Sequence, residues 1–331
     1  MKPPRFWSAD LDPKSREAAP LTRALLTPLS WLYLRGLNRK LASAVPAHAG
    51  IPVICIGNIT TGGAGKTPVA ETIRERITAL GLRGATLSRG HGGKLAGPLK
   101  VDSSRDSFRD VGDEPLLLAA TGETWIGRDR PQAASAMAED GVQAIIMDDG
   151  HQNPSLAKDF TFIVIDAGAP FGNGHVLPKG PLREPAAQGL ARANAVILMG
   201  DGPVPPEVSA SGKPVLRARL TATETVPTGP LVAFAGIGRP QRFFDSLKDA
   251  GADLRDSVPF ADHHPYSSGD LAFLRKLASE RGARLVTTSK DHVRLPPPMR
   301  DEALVHPVKA VFEDPMTLDA LLAPIFKRPA P

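Results

Sequence analysis

The sequence predicts an α/β protein: a parallel sheet with flanking helices, followed by a smaller second α/β lobe. Three observations point there. Between Ile51 and about Gly200, short apolar runs alternate with helical or loop stretches. The first of these runs, Val53 to Gly57, enters a glycine-rich turn and then a helical stretch from about Pro68 to Leu80. A proline-rich connection, Asp201-Gly202-Pro203-Val204-Pro205-Pro206, then precedes a second set of strand and helix patterns. A chain of 331 residues that is 42% hydrophobic has room for two cores. The expected divisions are residues 1–45, 46–205 and 206–331.

The N-terminal segment, 1–45, is basic and rich in leucine. No acidic residue lies between Glu17 and Glu71, whereas Arg23, Arg35, Arg39, Lys40 and Lys66 all fall in that interval. Leu21 to Leu41 reads as a helix carrying Leu25, Leu29, Trp31, Leu32 and Leu37. Arg23 and Arg35 bound an apolar run shorter than the ~20 residues needed to span a bilayer. The helix is therefore expected either on a membrane surface, where each basic residue adds ~1 kcal/mol beside anionic lipid, or packed on the domain with Pro28 as a kink. Asp10, Asp12, Lys14, Arg16 and Glu17 stand where a secretory signal would be apolar.

Val53-Ile54-Cys55-Ile56-Gly57 is the first buried strand, and Thr60-Thr61-Gly62-Gly63-Ala64-Gly65-Lys66-Thr67 follows it. In a turn of this composition backbone N–H groups point inward at phosphate oxygens. Lys66 can bridge the terminal phosphates, and the Thr67 hydroxyl can sit on Mg²⁺ at the helix N-terminus. The predicted fold is thus P-loop NTPase-like. Thr60 stands where the strict pattern has glycine. Further strands are expected at Gly84–Ser88, Ala144–Asp148, Thr161–Asp166 and Ala195–Met199. The run Ala144-Ile145-Ile146-Met147 ends in Asp148-Asp149-Gly150, which puts one or both acids where a phosphate loop's Mg²⁺ is held.

In the second lobe Leu231–Gly236 and Ala283–Thr288 read as strands, and Gln241–Ala250 and Leu271–Arg281 as helices. Pro296–Pro298 and Pro329–Pro331 read as loop and tail. Cys55 is the single cysteine, so no intramolecular disulfide can form, and its apolar strand makes it a core side chain. The net charge of +5 is too mild to argue for nucleic acid.

Several ordered blocks resemble the tetraacyldisaccharide 4′-kinases: Ser88-Arg89-Gly90-His91-Gly92-Gly93, Val111-Gly112-Asp113-Glu114-Pro115, Asp148-Asp149-Gly150, Leu177-Pro178-Lys179-Gly180-Pro181-Leu182-Arg183-Glu184-Pro185 and Phe260-Ala261-Asp262-His263-His264-Pro265-Tyr266. The resemblance runs from the basic N-terminal segment to about Arg294, and the family's own loop carries threonine at the position of Thr60. It implies ATP- and Mg²⁺-dependent transfer of the γ-phosphate to the 4′-hydroxyl of an acylated glucosamine disaccharide 1-phosphate, giving the 1,4′-bisphosphate lipid A precursor, lipid IVA. The implied location is the cytoplasmic face of the inner membrane, peripheral or monotopic, with no nucleic acid and no obligate protein partner. It further implies that Asp113 takes the acceptor's proton with His263 as its partner, and that Arg89, Arg183, Glu184 and His264 contact substrate. By spacing alone Asp113 is a helix cap ahead of Pro115. His91, His151 and Ser289 depart from the family pattern, and no role is assigned to them.

Three rivals come from other classes. A regulatory ATPase of the partition or maturation type shares a glycine-rich loop but carries an extra lysine where this chain has Thr61. A GTP-binding switch needs a guanine motif that Thr288-Ser289-Lys290-Asp291 does not supply at the right spacing. A membrane-binding module would leave the loop and the acidic pair unexplained.

Overall fold

The computed structural model describes residues 4–12 and 14–326. In chain order the strands are β1 (Val53–Gly57), β2 (Gly84–Ser88), β3 (Leu99–Lys100), β4 (Thr124–Ile126), β5 (Ala144–Asp148), β6 (Phe160–Asp166), β7 (Ala195–Met199), β8 (Val215–Ala222), β9 (Pro230–Ala235), β10 (Asp253–Pro259), β11 (Arg284–Thr287), β12 (Ala303–Val305) and β13 (Val308–Phe312). They form a nine-stranded sheet, ordered β13-β8-β7-β6-β1-β5-β2-β4-β3, and a four-stranded sheet, ordered β10-β9-β11-β12. The large sheet is parallel except at its two edges, where β3 and β13 run antiparallel to β4 and β8. The small sheet is parallel throughout.

The central strands are buried at every position because helices cover both faces. Alternation still decides which core each residue joins. Ile54, Ile56, Ala144 and Ile146 enter one cluster with Val69, Ala70, Ile73 and Ile77 of the helix Lys66–Ala79; Val53, Ile145 and Met147 enter another on the opposite face. That helix presents its apolar residues at intervals of three and four, so it lies on the sheet with its N-terminus at the carboxyl end of β1.

The division expected at residues 205 and 206 falls elsewhere. β8 pairs with β7, β13 pairs with β8, and the helix Pro315–Phe326 buries Leu318, Leu322 and Ile325 in the large core. The second sheet is therefore built from residues 230–305, inserted between two strands of the first. A proline-rich stretch was a poor guide because it marks a turn between β7 and β8, not a change of core. Pro297 and Pro298 open a short helix, Pro297–Glu302, where proline fits the first turn; Pro329–Pro331 lies outside the described residues.

The helix Pro20–Ser43 has no buried residue, and Leu21, Leu25 and Trp31 are 81%, 78% and 60% exposed. It touches the body through Ser30, whose Oγ donates to Val176 O at 3.0 Å and accepts from Lys179 N at 3.2 Å. Among the described residues no helix is long and apolar enough to cross a membrane.

Candidate active site

The glycine-rich loop lies at the carboxyl end of β1, between β5 and β6, where the sheet's connections depart in opposite directions. Gly65, at φ +88°, turns the chain so that the helix begins at Lys66, two residues earlier than the sequence suggests. The first backbone N–H groups of that helix, with the positive end of its dipole, face the loop. The loop's first half is laid against the segment 181–183. Thr61 N donates to Pro181 O at 2.8 Å, Arg183 N donates to Ile59 O at 2.7 Å, and Thr60 bridges Leu182. Ala64 is buried, and Gly62 and Gly63 are exposed.

The two adjacent acids at the end of β5 have opposite surroundings. Asp149, at φ +52°, receives both Nη atoms of Arg183 at 2.9 to 3.2 Å and stands 3.7 Å from Lys66 Nζ. Burial alone would raise its pKa, but the charges of Lys66 and Arg183 outweigh burial and hold it below the usual range. Asp148 is 1% exposed, and neither of its carboxylate oxygens has a hydrogen-bond partner. Burial, reinforced by the charge of Glu114, pushes its pKa up to about 7. Arg130 closes the pocket behind it, donating to Asp148 O at 3.5 Å and to Gly127 O at 2.8 Å.

Asp113 opens the helix Asp113–Thr121 and is buried. Its turn exists because two loops cross at glycines. A Cβ on Gly112, which sits at φ +93°, would meet His91 O at 2.4 Å, and one on Gly93 would meet Asp110 O at 2.6 Å. The block around His91 thus supports the turn that presents Asp113, through backbone and not through the imidazole. From the small lobe His263 Nδ1 lies 2.7 Å from Asp113 Oδ2, and Arg294 Nε lies 3.4 Å from the same oxygen. Burial opposes ionisation of Asp113, yet the His263 hydrogen bond and the charges of Lys290 and Arg294 bring its pKa to about 2. Glu114 joins the two lobes as well, accepting from Lys290 Nζ at 3.2 Å.

Both sheets direct their carboxyl ends at this cleft. β5 and the loop after β2 bring Asp148, Asp149 and Arg89 from one side; the turns after β10 and β11 bring His263 and Lys290 from the other. A Cβ on Gly238 of the small lobe would lie 3.7 Å from Gly63 N and 3.6 Å from Asp262 Oδ2, so the small lobe overhangs the loop. A further latch joins Asp166, at the end of β6, to Arg239 at 2.6 Å and to Arg242 at 2.9 Å.

Two expected contact residues are held by other side chains, and a third, Arg89, has no such partner among the described residues. Glu184 is 1% exposed and accepts from Arg192 at 2.8 Å and Gln152 at 2.9 Å, beside His151. It anchors a buried network. His264 Nε2 is 3.1 Å from Asp270 Oδ2, and its ring stacks on Phe260, so it is held against the capping box that Ser267 and Asp270 form at the start of the helix Ser268–Glu280. Arg89 is exposed beyond β2, with no ion pair among the described residues. His151, buried beside Arg192 and Lys158, has its pKa lowered to about 3 and is a neutral core group. Ser289 opens the short helix Ser289–His292, whose cap is Thr288.

Lys290, Arg294, Glu114 and Arg130 were not singled out from sequence. The available signal was position: Lys290 follows β11, a parallel strand, at its carboxyl end.

Residues 22–327 match the family described as tetraacyldisaccharide-1-P 4′-kinase. A tetraacyldisaccharide 4′-kinase of Hyphomonas neptunium is 71% identical over 99% of both chains, and one of Maricaulis maris is 47% identical over 97% of this chain and 96% of its own. The crystal structure of LpxK from Aquifex aeolicus in complex with ATP superposes with a TM-score of 0.71 at 25% identity, covering 92% of this chain and 99% of that one. The ordered loops, the acidic pair and the Asp113–His263 contact thus sit in a chain that is, over nearly its whole length, a member of the tetraacyldisaccharide 4′-kinase family.

Proposed function

We propose that this protein is a kinase that transfers the γ-phosphate of ATP to the 4′-hydroxyl of a tetraacyldisaccharide 1-phosphate, giving the 1,4′-bisphosphate. The observation that carries the reading is the opposition, across one cleft, of a glycine-rich loop ending in Lys66-Thr67 and a buried carboxylate, Asp113, held ionised by His263, Lys290 and Arg294. ATP is received by residues 60–67, where loop and helix N–H groups meet the phosphates and Lys66 exchanges Asp149 for the terminal phosphate. Arg183, already bidentate on Asp149, lies where it can share that anionic load.

The donor set suits Mg²⁺. Asp148 offers two buried oxygens without partners, Asp149 lies beside it, and Thr67 contributes a hydroxyl at the first helical turn. Once bound, the ion supplies neutralisation of charge on the phosphate oxygens. Asp113 accepts the proton as the sugar oxygen bonds to the γ-phosphorus and the bond from that phosphorus to the β–γ bridging oxygen breaks, releasing ADP. His263 keeps the carboxylate oriented.

The acceptor reaches this cleft from a membrane surface. The exposed leucines and Trp31 of the helix Pro20–Ser43 are the apolar face that meets lipid at the inner leaflet, and Arg23, Arg35, Arg39 and Lys40 supply the positive charge. The test is labelled ATP incubated with acylated disaccharide 1-phosphate and, separately, without lipid. Label in the lipid is expected; ATP hydrolysis independent of lipid and stimulated by a protein partner would select a regulatory ATPase instead.

A further inference from the structure

Lys290 has so far entered only as a charge beside Asp113, yet its ammonium links the Asp113-Glu114 turn of the large lobe to the His263 turn of the small one. Its Nζ lies 3.2 Å from His263 Nε2 and 3.2 Å from Glu114 Oε1. An ammonium has three donors and no acceptor, so its bond to the ring requires a lone pair on Nε2. His263 Nδ1 must then carry the ring's single proton and donate it to Asp113 Oδ2 at 2.7 Å. Asp113, which also meets Arg294, stays the acceptor in that pair.

We infer that Lys290 is a positioning residue that sets the tautomer of His263, so that the imidazole is a fixed donor to Asp113 and not a second proton acceptor. The inference rests on the kinase reading above, in which Asp113 takes the proton. Its place in the fold suits the role. Thr288 caps the short helix that carries Lys290, donating to Asp291 Oδ2 at 2.6 Å, and Asp291, wholly buried, accepts from Gly236 N at 2.8 Å and Tyr266 OH at 2.7 Å. Arg294 continues the brace, donating to Lys290 O at 3.0 Å and Gly236 O at 2.9 Å. The lysine is thus mounted on the same buried frame as the turn bearing His263, whose N donates to Gly236 O at 3.1 Å.

Among the described residues the charged groups facing the imidazole are Asp113 at Nδ1, Lys290 at Nε2 and Asp262 at 3.8 Å from Nε2, with Glu114 and Arg294 one contact further. Asp262 alone would favour a proton on Nε2. Lys290, being closer, opposes it. Without the lysine the ring would be free to protonate Nε2 toward Asp262 and give up its donation to Asp113.

The test is ¹⁵N-detected imidazole NMR on the full-length protein labelled at histidine, with His263 identified through His263→Gln. The wild type is expected to show protonated Nδ1 and bare Nε2. Lys290→Met is expected to move His263 toward the Nε2–H tautomer and to lower kcat roughly 10- to 100-fold, by analogy with the loss of an orienting partner of a metal-bound imidazole, with KM for ATP unchanged. Lys290→Arg, which keeps a cationic donor, should recover most of both. A wild-type His263 protonated at Nε2 overturns the inference without need of any variant. So does a Lys290→Met protein that keeps the Nδ1–H tautomer. Failure of the kinase reading is separately visible, since the wild-type protein would then put no label from ATP into the lipid whatever the tautomer of His263, and an Asp113→Asn protein that still phosphorylated lipid would reject Asp113 as the proton acceptor alone.

Discussion

Asp148→Asn is expected to stabilise the ion-free protein at pH 8 and to leave it unchanged near pH 4. Asp148 is fully buried without a partner for either oxygen, and burial together with the charge of Glu114 raises its pKa from 3.8 to about 7. Because the folded protein holds this proton more tightly than the unfolded chain does, folding carries no penalty below about pH 4. The penalty then grows as pH rises and is complete above about pH 7. At about 1.4 kcal/mol per pH unit the interval corresponds to ~4 kcal/mol. With an unfolding entropy of roughly 2.1 cal/mol/K per residue, that is ~6 °C in apparent Tm for a chain of this size. Asparagine keeps the shape and removes the charge, so the assay is thermal unfolding of both proteins in EDTA from pH 4 to 8.5. The wild type should fall progressively below the variant as pH rises, and Mg²⁺ with a non-hydrolysable ATP analogue should raise the wild type selectively. Parallel Tm curves across that range would refute the reasoning, because they would mean that the buried carboxylate is solvated or paired in solution.

Asp113→Asn should lower turnover to lipid by ~10²- to 10⁴-fold, the usual contribution of a positioned general base, while ATP affinity changes little; turnover within twofold of wild type excludes Asp113 as the proton acceptor. Leu25→Glu combined with Trp31→Glu, both at exposed positions, should leave Tm within about 1 °C but reduce co-sedimentation with anionic vesicles by more than tenfold, since each apolar side chain contributes ~1.5–3 kcal/mol when fully buried. Unaltered partition would show that another surface meets the lipid. Gly57→Ala places a Cβ 2.4 Å from His151 Cβ in the core beneath the loop, and should destabilise by ~1–3 kcal/mol, read as a fall in Tm. A variant as stable as wild type would mean that His151 can withdraw at no cost.

Much of the first domain was legible because its signals are local. Val53–Gly57 followed by glycines, lysine and threonine dictates strand, turn and helix within one short stretch, and Ala144–Asp148 delivers its acids at a strand end for the same reason. β8 and β13 were not legible. Val215-Leu216-Arg217-Ala218-Arg219-Leu220 mixes arginines into its alternation because it lies near the sheet edge, half-covered, and β13 finds its partner across the whole inserted lobe. Glu184 and His264 show the opposite limit. The family resemblance implies contact with substrate, but a carboxylate and an imidazole can equally satisfy protein neighbours, and the partners Arg192, Gln152, Asp270 and Phe260 are not visible in the local sequence.

What the sequence alone determined is the strand, glycine-rich turn and helix around Lys66, the acidic pair at the end of β5 and the order of the family's blocks, because each depends on residues a few positions apart whose backbone geometry is set locally. The tertiary structure decided the rest. It brought Asp113 to His263 across 150 residues, gave Asp148 and Asp149 opposite electrostatic surroundings, and set Lys290 between an imidazole and a carboxylate. Charge and proton affinity depend on distance and burial through space, and those quantities exist only once two sheets have been folded with their carboxyl ends face to face.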